Sequence, residues 1–187
     1  MPSLILRFHD VTRGAILLNG TDIRRMPQHF LRERLAYVQQ KAWLFSGTIA
    51  DNLRYSDPDA SRETMLHAVD VAQAGEFVGA LPDGLDSFVA QGGTNFSGGQ
   101  RQRLSIARAL VKKPELYIFD DSFSALDFKT DAALRRALAK ETQDAAVLII
   151  AQRVSTIRDA DIILYMEHGD IVEQGSHTEL LAKKGAY

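Results

Sequence analysis

Two carboxylates, Asp120 and Asp121, stand side by side where the apolar run Leu116-Tyr117-Ile118-Phe119 ends. A short buried strand that delivers carboxylates at its end suits a metal or phosphate site. A second constellation, Ser97-Gly98-Gly99-Gln100, opens a segment in which Leu104, Ala107, Leu110 and Val111 share one helical face. Two glycines let the backbone approach a ligand closely, and a helix start directs free N–H groups and positive partial charge outward. Ser97 and Gln100 add side-chain hydrogen bonding, so the four residues read as an anion site for phosphate. Taken alone, they are equally well explained as a glycine-rich helix cap. Their order relative to the rest of the chain has to decide.

The elements that would carry these residues follow from periodicity and turn chemistry. Ala15 to Leu18 reads as a strand closed by the turn dipeptide Asn19-Gly20, Pro27 to Arg34 as a short helix, and Leu35 to Val38 as a strand running into a loop. Ser61 caps a helix whose expected inner face is Met65, Leu66, Val69 and Ala72. The helix begun by Ser97 stops at Pro114. Glu115 to Asp121 is a strand, Thr130 to Glu141 a helix with Leu134 and Leu138 inward, and Ala146 to Ile150 a continuous apolar strand. Ile162 to Met166 and Asp170 to Glu173 flank His168-Gly169 as a hairpin, and Ser176 to Glu179 is a capping box opening a last helix. Alternating strands and helices, with wholly apolar strands, predict an α/β fold with a parallel sheet covered on both faces. The stretch 61–111 reads as helix only, a separate lobe.

Composition narrows the function classes. A net charge of −2 gives no field favouring nucleic acid or an anionic membrane, and the absence of cysteine excludes disulfide and thiolate chemistry. The longest apolar run, Ala145 to Ala151, is far shorter than the ~20 residues of a membrane helix. The five histidines are scattered without metal-ligand spacing, and Arg24-Arg25 and Arg32-Glu33-Arg34 read as solvated helix ends. Trp43 reads as a packing or interface residue.

The order SGGQ, strand-Asp-Asp, Ser124-Ala125-Leu126-Asp127, strand, then Ile150 to Ile157 resembles the nucleotide-binding domain of ABC transporters, exporter type, from Leu4 to Tyr187. The resemblance implies a P-loop NTPase, RecA-like core with an ABC-type helical subdomain. Its divisions would be 1–47 for core up to the Q-loop, 48–111 for the helical subdomain, and 112–187 for core with the Walker B, D-loop and H-loop positions. It implies ATP and Mg²⁺ as cofactors. Nucleotide contacts would come from Gln40 (the Q-loop position), the signature Ser97, Gly98, Gly99 and Gln100, and Asp127 in the D-loop. Metal contacts would come from Asp120 and Gln40. The stretch Leu44 to Leu53 is similar to the part of exporters that faces the transmembrane coupling helices. A second nucleotide-binding domain and a transmembrane domain are the implied partners, at the cytoplasmic face of the plasma membrane.

Three positions depart from the family pattern. Asp121 stands where the family has the Glu that polarises the attacking water, and Gln152 stands at the H-loop His position. Gln91 replaces a Glu before the signature. Asp is one methylene shorter, and Gln can hydrogen-bond a phosphate but cannot carry charge. With the signature intact, the pattern is similar to the half of a heterodimeric exporter whose own ATP site is degenerate. A homodimeric exporter with tolerated substitutions is the competing reading.

No GxxxxGK[ST] occurs in the chain. The resemblance places Leu4 to Thr12 just after that loop, at the end of the helix it begins, with the strand feeding the loop expected beside the one ending in Asp120. On that reading the isolated chain binds ATP weakly or not at all and is not itself active. A soluble ABC ATPase of DNA repair or translation, and a gene fragment without activity, are the alternative functions.

Overall fold

A computed structural model describes residues 1–187. Met1–Ile150 and Ala151–Tyr187 form two compact units. In the first, α1 (Pro2–Ile5) is followed by the hairpin β1 (Leu17–Leu18) and β2 (Thr21–Asp22), then α2 (Gln28–Glu33) and β3 (Leu35–Val38). Next come β4 (Gly47–Thr48), α3 (Ile49–Arg54), α4 (Arg62–Val71), α5 (Gly75–Gly79) and β5 (Phe88–Val89). The unit closes with α6 (Gly98–Lys112), β6 (Leu116–Asp120), α7 (Phe128–Glu141) and β7 (Ala146–Ile150).

The predicted parallel sheet is present, with strand order β3-β6-β7. Central β6 is apolar on both faces because both are covered: Ile118 and Phe119 are fully buried. Phe119 and Tyr117 join Leu104, Ile106, Leu134 and Leu138 in the main core, under α6 and α7. Ile118 faces the other way, into a smaller cluster with Leu6, Leu31 and Leu35. The expected strand beside β6 has no place there, because β3 and β7 already use both of its edges. Both β3 and β7 are edge strands of the sheet, and the more exposed of the two is β7. Its wholly apolar sequence predicts burial on both faces, yet Ala146 and Val147 are exposed and its other three residues half-buried.

Local signals set most element ends. Asn19 and Gly20 both take positive φ (50° and 78°), which a two-residue hairpin turn requires. Ser61 caps α4 by accepting from the Thr64 N–H. Met65, Val69 and Ala72 are buried as expected, whereas Leu66 is 44% exposed and Ala68 takes the inner position instead. Leu66 follows Met65 by one residue, about 100° around the helix, and so turns off the buried stripe. The stretch 61–111 is not helix only, because β5 pairs with β4. One core runs through it from Ala36 to Leu138.

The second unit holds α8 (Val154–Ile157), the antiparallel pair β8 (Ile163–Glu167) and β9 (Asp170–Gly175), and α9 (His177–Lys183). His168 and Gly169 make its turn with φ of 51° and 94°. The predicted capping box is formed by Ser176 and Glu179. No helix of the chain is long and apolar enough to cross a membrane.

Candidate functional site

The carboxyl ends of parallel strands gather loops at one edge of a sheet, where ligands bind in open α/β folds. At that edge β3 delivers Gln39 and Gln40, and β6 delivers Asp120 and Asp121. The Tyr37 hydroxyl donates to Asp120 Oδ2 at 2.8 Å, and Gln40 Nε2 donates to Asp121 Oδ2 at 3.0 Å. Burial first, and the Asp120 bond second, push the Tyr37 hydroxyl up to about 12, so it stays a donor over the physiological range. The Asp121 N–H donates to Ile150 O at 2.8 Å, which ties the two carboxylates to the end of β7. Asp121 itself has φ 46°, a left-handed conformation that Asp and Asn tolerate better than most residues. Ser124 Oγ donates back to Asp121 O at 2.9 Å, and Ser122 Oγ to Val38 O at 2.8 Å, so the turn after β6 is held from both sides.

The second cluster is the start of α6. Ser97 Oγ accepts from the Gln100 N–H at 3.2 Å, while Gln100 Oε1 accepts from the Ser97 N–H at 2.9 Å. The sequence assigns these two side chains to an anion, and the structure engages both in a reciprocal cap. What the cap leaves toward solvent is the N–H groups of Gly98 and Gly99, which have no intrahelical partner. A Cβ on Gly98 would meet nothing within 4 Å, whereas one on Gly99 would sit 3.4 Å from Ala125 O. The Ser97 helix start thus lies against the Ser124–Asp127 segment. Asp127 caps α7, accepting from the Thr130 N–H and hydroxyl at 2.9 and 2.7 Å. Those bonds hold its carboxyl below the usual carboxylate range.

Two residues that the sequence reading passed over organise this edge. Gln102, 1% exposed, donates Nε2 to Gln39 O at 3.1 Å and so ties α6 to the residue before Gln40. Tyr37 holds Asp120. The available signal was polarity at positions whose spacing places them inside. Gln152 is exposed and belongs to the second unit. Gln91 is exposed at the start of a single turn, Gln91–Gly93.

A divalent cation fits the donor chemistry here on one condition. No group of three or more His, Cys, Asp or Glu side chains converges anywhere in the chain. Mg²⁺ tolerates this when one or two carboxylates hold it and phosphates and water complete the octahedron. Asp120 offers such a carboxylate, with Oδ1 unengaged by the protein.

A sequence profile described as ABC transporter matches residues 2–124. The chain belongs to the ABC transporter family. It is 46% identical over 188 residues to an uncharacterised ABC transporter ATP-binding protein of Mycobacterium tuberculosis, covering 99% of this chain and 32% of that protein. It is also 46% identical over 186 residues to the ATP-dependent lipid A-core flippase of Pasteurella multocida, with the same coverage of each. Among solved structures, a bacterial Atm1-family ABC exporter with ATP bound superposes with a TM-score of 0.96 at 39% identity, over 100% of this chain and 32% of that one. The α/β fold is therefore that of an ABC exporter nucleotide-binding domain, and the chain spans about a third of the length of these ABC proteins.

Proposed function

We propose that this chain is the ATP-binding part of an ABC exporter, and that the ATP site to which it contributes Asp120 and Asp121 is the slow one of an asymmetric pair. The observation that carries the reading is the grouping of Tyr37, Gln40, Asp120 and Asp121 at the ends of β3 and β6, beside a separately capped glycine-rich helix start. Asp120 would hold Mg²⁺ through water, with Gln40 nearby, and the ion would neutralise charge on the nucleotide phosphates. Gly98 and Gly99, presented by the Ser97–Gln100 cap, would donate N–H groups to the γ-phosphate of an ATP held mainly by a facing domain. Asp127 would keep its place at that interface by capping α7.

Asp121 occupies the water-polarising position with a short side chain whose Oδ2 already accepts from Gln40. A misplacement of about 1 Å can cost about 100-fold in rate. Gln152 supplies an amide that binds phosphate without carrying charge. The Asp121 substitution would lower turnover at its own site and leave the signature unaffected. The aromatic surface of Trp43, Phe45 and Tyr55, with the last two rings stacked at 4.5 Å, would receive the transmembrane helices. On this reading the domain divides at 1–47, 48–111 and 112–187 and works at the cytoplasmic face of a membrane. Its partners are a second nucleotide-binding domain and a transmembrane domain.

The test is steady-state ATPase of the assembled exporter. Ser97 or Gly98 substitutions should remove most activity, since losing one donor aimed at transition-state charge costs roughly 100- to 1,000-fold. Asp121→Asn should change turnover little, and Asp121→Glu with Gln152→His should add hydrolysis. If Asp121→Asn silences the assembly as fully as the signature variants, Asp121 is a working catalytic base. The homodimer reading then replaces this one.

A further inference from the structure

Asp121 is held more firmly than the residue it bonds. Its N–H donates to Ile150 O at 2.8 Å, its carbonyl accepts from the Ser124 hydroxyl at 2.9 Å, and its φ of 46° sits in a narrow left-handed well. Ser122 Oγ donates to Val38 O at 2.8 Å and ties the same turn to β3. Gln40 is anchored less. It is exposed, one residue beyond Gln39, whose carbonyl accepts from the Gln102 amide. Its side chain has one hydrogen bond, from Nε2 to Asp121 Oδ2 at 3.0 Å.

That bond has a direction. A carboxylate accepts and does not donate, so Asp121 can hold only the NH₂ end of the Gln40 amide. The amide oxygen Oε1 is left without a protein donor. Tyr37 acts likewise on Asp120, where its hydroxyl takes Oδ2 and leaves Oδ1. Both donors come from the β3 side and both acceptors from the end of β6, and each pair decides which oxygen remains. A hard cation takes oxygen and not an amide nitrogen, so a glutamine is a ligand in only one of its two amide orientations. An unheld glutamine must also give up its rotamer freedom when it binds.

We propose that Asp121 is a positioning residue for Gln40, fixing the amide so that Oε1, and not Nε2, is offered to the divalent cation of this site. The inference rests on the reading of Asp120 and Gln40 as the Mg²⁺-holding pair of an ATP site, and it deepens that reading. It gives Asp121 a duty that needs no proton transfer. The rigid partner is the acceptor on the fastened turn, and the adaptable partner is the exposed glutamine. A carboxylate engaged in this way keeps the cation's ligand in place while one of its two oxygens is already spent on Gln40.

The test titrates Mn²⁺, a spectroscopic stand-in for Mg²⁺, into the assembled exporter with ATP. Free Mn²⁺ is followed by electron paramagnetic resonance, and a protein-free blank corrects for Mn²⁺ on unbound ATP. Asp121→Gly tolerates the left-handed turn and removes the acceptor. It should weaken Mn²⁺ at this chain's site by at least about tenfold, as losing a partner that orients a metal ligand does. Asp121→Asn keeps an acceptor oxygen for Nε2 while permitting a second orientation, and should stay within about threefold of the parent. In a Gln40→Ala background no amide remains to orient, so Asp121→Gly should weaken binding no further. Asp121→Ala replaces Asp121→Gly should the glycine variant not fold. Equal losses in Asp121→Asn and Asp121→Gly would show Asp121 acting on the cation through its own charge. Equal retention would show that Gln40 is oriented without it. Either result overturns the proposal, as does a full effect of Asp121→Gly in the Gln40→Ala background. The slow-site reading is judged by ATPase rate instead, so an Asp121→Asn variant that loses ATPase but keeps Mn²⁺ overturns that reading alone.

Discussion

The Tyr37 hydroxyl reaches Asp120 Oδ2 across 2.8 Å, from the strand beside the one that ends in that carboxylate. The folded chain keeps the Tyr37 proton up to a pH of about 12, and an unfolded chain releases it near 10. Between those values the folded state binds more protons, so stability is complete below about pH 10 and falls as the pH rises toward 12. Buried Tyr117, also pushed up to about 12, acts in the same window. Melting temperature should therefore drop between about pH 10 and 12, and Tyr37→Phe should flatten part of that drop. An identical slope in parent and variant would show that the hydrogen bond does not matter to the fold.

Ser97 has two separable duties. Its hydroxyl caps α6, so Ser97→Ala should cost about 1 kcal/mol of stability. Ser97→Asp keeps an equally good cap but places negative charge where phosphate would sit. In the assembled exporter both variants should lose ATPase, and only the alanine should lose stability in urea. Retained ATPase in Ser97→Asp would separate this helix start from the nucleotide.

Asp121 holds φ 46°. Asn shares its tolerance of that region, so Asp121→Asn should stay within about 0.5 kcal/mol of the parent. A β-branched residue does not, and Asp121→Val should cost about 1–2 kcal/mol from the backbone alone. Equal stabilities for the two variants in denaturant would contradict the left-handed turn.

Neighbouring residues on α4 give a sharp contrast. Met65 is fully buried, and Met65→Ala should cost about 2–5 kcal/mol. Leu66 is 44% exposed, and Leu66→Ala should fall within about 0.5 kcal/mol. Chemical denaturation of the two variants measures this directly, and a larger loss at Leu66 would reverse the assignment of the inner face.

Much of this was legible where one local rule acts alone. Leu35 to Val38 and Ala146 to Ile150 are strands with the expected ends, because short apolar runs rich in branched or aromatic residues leave few alternatives. Ser97 and Ser176 cap helices because Ser followed three residues later by Gln or Glu carries its own geometry, and Ser61 caps α4 through its hydroxyl alone. What escaped depends on pairing across the chain. Helix α3 was missed although Thr48 and Asp51 form a capping box, since Asp at the third position is a weaker signal than Glu. The Tyr37–Asp120 and Gln102–Gln39 bonds join residues 83 and 63 positions apart, beyond any periodicity. Arg32 looked solvated because its sequence neighbours are charged, and only the fold of Leu6 and Phe8 beside it brings it inside.

Helix α6 is fastened along its length. Gln102 grips Gln39 O near its start, and Lys112, its last residue, grips Arg32 O and Leu35 O. Both anchor points lie at opposite ends of the β3 strand, so the helix and strand form a braced pair. Fifteen residues at about 1.5 Å each make α6 a strut of about 22 Å. A load applied at Ser97 therefore meets a stiff member seated at its far end on Leu35, and the helix cannot slide along the sheet without breaking bonds at both seats together.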